Sequence, residues 1–106
     1  MGTLIYGGTQ SYRFDDRVLS HLKIAIASKL RLREGFLVSW EVPIEEGSGR
    51  VSLWLAPGIP VQYIFEETVP PALNRDWIEA MMMSASSSRG LIVMAESDIG
   101  EYLHRE

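Results

Sequence analysis

Three stretches that alternate apolar and polar residues constrain this chain more than anything else in it. In FLVSWEV, Phe36, Val38, Trp40 and Val42 fall on one side, and Leu37, Ser39 and Glu41 on the other. RVSLWL repeats the pattern, with Val51, Leu53 and Leu55 opposed to Ser52 and Trp54. VQYIFEE sets Val61, Tyr63 and Phe65 against Gln62, Ile64 and Glu66. A period of two is the signature of a strand with one face in a core. The links between the three are a polar turn, PIEEGSG, and APGIP, where Pro57-Gly58 favours a tight reversal. They predict an antiparallel meander.

Strands with one apolar face need a second layer, and two segments supply it. Asp15 or Asp16 offers an N-cap. At about 100° per residue, Val18, Leu19, Leu22, Ala25, Ile26 and Leu30 then share one arc of a helix. Asn74 is an equally good cap for a second helix. Asp76 lies in its first turn, Trp77, Ile78, Met81, Met82 and Ala85 on its apolar arc, and Leu73 and Ile78 at the positions of a hydrophobic staple. Gly90 reads as the C′ residue of that helix. TLIYGGTQSYRF reads as a hairpin, with strands near 3–6 and 11–14. LIVMA reads as a last strand, apolar on both faces and so central or well covered. The order ββ-α-βββ-α-β predicts an α+β, two-layer domain: a mostly antiparallel sheet with both helices on one face. Residues 1–106 are expected to form a single domain, with 97–106 as a tail that can hold one helical turn.

Composition narrows the function classes. Apolar residues make up 46% of the 106 and charged residues 23%, a globular balance rather than a disordered one. There are no cysteines, so disulfides and thiolate metal sites are excluded, and a reducing compartment is permitted. No apolar run reaches the roughly 18–20 residues that cross a bilayer, and the first residues lack the basic and apolar regions of a secretion signal. The expectation is a cytoplasmic protein that does not engage a membrane. The formal net charge of −4 argues against a general nucleic-acid coat.

One local segment runs against that charge. From Arg17 to Arg33 inclusive there are five cations and no acid, and SKLRLREGF places Lys29, Arg31 and Arg33 within five residues. Such a cluster either contacts phosphates or completes the end of a helix, where cations meet free carbonyls and the dipole. The candidate anion or DNA contacts are Lys23, Lys29, Arg31, Arg33, Arg50 and Arg75. Arg75 stands at the start of the second helix, where its charge opposes the dipole and calls for an acidic partner. The candidate interface residues are Trp54 and Ile64 on the outer sheet face, and Ile24 and Met83, each an apolar outlier on a polar helix face. The second pair suggests a helix-mediated homodimer.

Catalytic patterns are sparse. His21 and His104 are the only histidines and have no metal-ligand spacing. The serines of SASSSRG lack a G-x-S-x-G elbow, and Gly7-Gly8 lacks the context of a phosphate loop. The residues therefore point to no cofactor, no metal and no assembled reactive group. They fit a non-enzymatic module that binds a macromolecular partner or itself, with nucleic-acid association as the alternative.

Several strings together resemble a small, uncharacterised actinobacterial domain family: GTLIYG, FDDRVLSHL, SKLR, SW, GRVSLWLAPGIPVQY and LNRDWIEAMM. The resemblance covers residues 1 to about 96. Members are often labelled automatically as ATP-dependent DNA ligases, which implies adenylate transfer to a lysine and sealing of nicks. The two lysines here, Lys23 and Lys29, are followed by Ile-Ala-Ile and Leu-Arg-Leu rather than by the K-x-D-G pattern of such enzymes. The resemblance carries over no functional residues.

Overall fold

The computed structural model describes residues 1–103. Its elements follow the expected order: β1 (Gly2–Tyr6), β2 (Gln10–Phe14), α1 (Asp16–Arg31), β3 (Phe36–Glu41), β4 (Arg50–Leu55), β5 (Val61–Ile64), α2 (Arg75–Ser84), β6 (Leu91–Ile92) and a single helical turn, α3 (Ile99–Tyr102). The class is α+β. His104 lies outside the described residues.

The strands form two three-stranded sheets instead of one, ordered β2-β1-β5 and β4-β3-β6. The β1–β2 and β3–β4 hairpins form as expected, but the meander stops there. β5 leaves β4 and pairs antiparallel with β1, so that Tyr63 lies opposite Leu4. The APGIP reversal does close, through the Ile59 N–H and the Ala56 carbonyl. It then delivers the Pro60 carbonyl to the Gly7 N–H, 2.9 Å away, at the tip of the first hairpin. The Tyr6 hydroxyl donates to the Trp54 carbonyl at 2.7 Å, joining β1 to β4 across the break. Side-chain alternation tells which face a residue takes, and it is silent about which strand its backbone pairs with. The faces were accordingly right in both sheets: Phe36, Val38 and Leu53 are buried, while Trp54, Gln62 and Ile64 are exposed.

The core lies between the sheets and the helices. Leu4 and Phe14 come from the first sheet, Val38 and Leu55 from the second, Leu19, Leu22 and Ile26 from α1, and Trp77 and Met81 from α2. Trp40 couples the sheets, making edge contacts with Tyr12 and Phe14 at ring-centroid separations of 5.3 and 5.0 Å. The two helices do not share a single sheet, because the strands beneath them belong to different ones. They pack on each other, α1 also against β1 and α2 also against β6.

LIVMA yields only two residues of strand, at the edge of its sheet and parallel to β3. It is apolar on both faces because α2 covers it. Ser84 fixes that cover: its hydroxyl donates to the Met81 carbonyl at 2.6 Å and accepts the Ile92 N–H at 2.8 Å. Gly90 is not the C′ residue of α2, whose C-cap is Ala85. Its φ of +77°, together with the Leu37 backbone where a Cβ would project, makes glycine necessary at the entry to β6. Beyond β6, Ile99, Tyr102 and Leu103 pack against the core.

Candidate functional site

Asp16 and Arg17, side by side at the start of α1, organise an extended polar network. Asp15 caps the helix by accepting the Arg17 N–H at 3.0 Å, which leaves the next two side chains free to reach across to residues 65–74. The Asp16 carboxylate accepts the backbone N–H groups of Glu66 and Glu67 at 3.1 and 2.9 Å. The amino-terminal ammonium stands 3.3 Å from Glu66 and 3.9 Å from Asp16. Arg17 extends the other way. Its guanidinium donates to both Glu96 oxygens at 2.9 and 2.7 Å and to the Ala72 carbonyl at 2.8 Å, and it lies over the Trp77 ring.

His21 and Asn74 complete this network. His21 is fully buried and tilted against Trp77. Its Nδ1 lies 2.7 Å from the Arg17 carbonyl, and its Nε2 accepts the Asn74 N–H at 2.8 Å. That pattern requires the neutral tautomer with the proton on Nδ1. Asn74 caps α2 through its side-chain oxygen, while its amide nitrogen donates to Glu96 at 2.9 Å. The guanidinium, with help from Asn74, holds the Glu96 carboxyl down at about 2. The same hydrogen bond raises the Arg17 pKa. Each buried polar side-chain atom described has a partner. Chemically this is a structural assembly, in which the imidazole and the guanidinium are spent on backbone and carboxylate contacts.

The assembly holds a groove. The segment 65–73 leaves the first sheet, is tied to the start of α1 by Asp16, and returns along the helix where Arg17 holds Ala72. Between those ties is a concavity of about 600 Å³. Ser20 and Ile24 of α1 contribute to its lining, with Phe65, Val69, Pro70, Pro71 and Leu73 from the segment. Val69 is 75% exposed and Leu73 is 51% exposed. Leu73 lines this groove, whereas Ile78 lines a separate concavity on α2. Lys23 is also in the lining, its ammonium 5.6 Å from the centre of the Phe65 ring.

Lys23 and Ile24 are thus brought together. The other candidates are not with them. Lys29 pairs with Glu34 at 2.9 Å, and its side chain is only 21% exposed. Arg31 lies in the last turn of α1, and Arg33 follows it in the left-handed region with a φ of +58°, its N–H on the Leu30 carbonyl. Arg50 stands opposite Glu41 at the far end of the β3–β4 hairpin. Arg75 opens α2, beside the Asn74 that meets His21. It shares a shallow apolar patch with Met83, Ile78 and Met82. Ile24 and Met83 line different concavities. Trp54 and Ile64, expected on one outer face, belong to different sheets. Trp54 is half-exposed, and its ring occupies the place a Cβ would take at Gly35.

Sequence reasoning identified Asn74 as a cap and missed what Asp16, Arg17, His21 and Glu96 do. Arg17 and His21 do lie one helical turn apart, which puts them on one face. Glu96 carries no such signal, because its partners are 79 and 22 residues away.

Among the described residues, no group of three or more His, Cys, Asp or Glu side chains is placed to hold a metal ion. No helix described is long and apolar enough to cross a membrane. Comparison with curated proteins finds no match, and comparison with solved structures finds none. A family model described as a domain of unknown function (DUF7882) matches residues 1–96, and the chain belongs to that family.

Proposed function

We propose that this domain is a binding module and that the groove between α1 and residues 65–73 receives an apolar group. The observation that carries the reading is that Val69 and Leu73 stay exposed on a segment whose backbone is tied at both ends. Here the Asp16 and Arg17 contacts fix the backbone and keep the side chains at the rim of an open concavity. A volume of about 600 Å³ lies within the usual range for ligand sites, and an apolar wall bordered by charged groups can receive one.

Nile red, a neutral apolar fluorophore, tests this directly. The intact domain should enhance its emission saturably. Val69→Asp and Leu73→Asp change exposed positions, so they should leave the fold intact and weaken binding several-fold. Emission that is unsaturable, or unaltered by both substitutions, overturns the reading.

A further inference from the structure

Resting on that reading of the groove, we infer that its ligand is a small amphipathic monoanion: one carboxylate or equivalent head on an apolar body, the head at Lys23.

Two features of the lining select this chemistry. The first is charge. Three cationic groups border the groove, and two are committed. The Arg17 guanidinium is held by Glu96 and Ala72, and the amino-terminal ammonium by Glu66 and Asp16. Lys23 makes no ion pair among the described residues and lies over Phe65, at the apolar wall. The acids of the lining (Asp15, Asp16 and Glu67) gather at the opposite end, about two helical turns back along α1. They oppose a second anionic group there, so a head at the Lys23 end fits and a ligand with an anion at each end does not.

The second feature is that the backbone groups at both ties of the segment are already spent. An extended peptide in a groove needs main-chain hydrogen bonds for its own amides. Here the N–H groups of Glu66 and Glu67 are already given to Asp16, and the Ala72 carbonyl to Arg17. Pro70 and Pro71 have no N–H to offer. An amide-rich occupant would find these groups taken, whereas an acyl or aryl body places no such demand on the walls. Its contacts would be with Ile24, Phe65, Val69 and Leu73.

Titration calorimetry with octanoate, 1-octanol and octylamine, below their aggregation concentrations, tests the inference on the intact chain and on Lys23→Gln. Octanoate should bind about fivefold more tightly than octanol, and octylamine more weakly than either. That preference should shrink as salt rises. In Lys23→Gln the octanoate preference should disappear with octanol affinity unchanged. Equal binding of octanoate and octanol, or a preference that survives Lys23→Gln, overturns the inference and leaves the apolar groove standing. Failure of all three to bind, together with failure of Nile red, overturns the groove reading itself.

Discussion

At Glu96 two donors converge, the Arg17 guanidinium and the Asn74 amide, and together they set how this region responds to acid. The folded carboxyl titrates at about 2, against an ordinary value of 4.5. Because the folded value is the lower one, the stabilisation is fully present above about pH 4.5 and is lost as pH falls toward 2. Urea midpoints should decline across that window, and Glu96→Gln should flatten this part of the profile. Identical profiles for the two proteins would show that Glu96 does not contribute. At the alkaline side, burial pushes the Tyr63 hydroxyl up to about 12 from 10.0. Its folded value is the higher one, so its contribution is present below pH 10 and fades as pH rises toward 12. Tyrosinate absorbance followed against pH reads that group directly. Neither response was legible in the sequence, since a carboxylate's partners 79 and 22 residues away, and the burial of one tyrosine, leave no trace in local pattern.

The end of α1 shows an element answering a question that its residues posed. The cations of SKLRLREGF sit where a helix stops. Lys29 turns to Glu34, and Arg33 takes the left-handed conformation that ends a helix, a place usually filled by glycine. A non-glycine residue there costs roughly 1–2 kcal/mol, part of which glycine gives back through its freer unfolded chain. Arg33→Gly should therefore raise stability by up to about 1 kcal/mol in urea unfolding. A loss of stability would mean that the arginine side chain, rather than the backbone turn, is what matters. The helices and both hairpins were readable because their signals are local: a cap, an apolar arc, an alternation. Gly90 reads from the sequence as the C′ residue of α2, but its positive φ serves a close approach to Leu37, which only the packed β6 creates.

Over the whole molecule, Trp40 is a main joint, beside the Tyr6–Trp54 bond, between two small sheets of three strands each. Its edge contacts with Tyr12 and Phe14 span elements more than 20 residues apart in the chain. Trp40→Ala should cost about 3 kcal/mol. It should lower the thermal midpoint while preserving a single cooperative transition. A loss below about 1 kcal/mol would mean that the sheets are held together elsewhere. The sequence by itself determined which residues face inward, where both long helices begin, and that the class is α+β, because periodicity and capping act within a few residues. Only the tertiary structure decided that β5 abandons β4 for β1, that the sheet is divided, and that Asp16 and Arg17 hold a groove open over α1. Strand pairing and long-range ties depend on which distant backbone groups are left without partners, and that is fixed only when the chain has closed on itself.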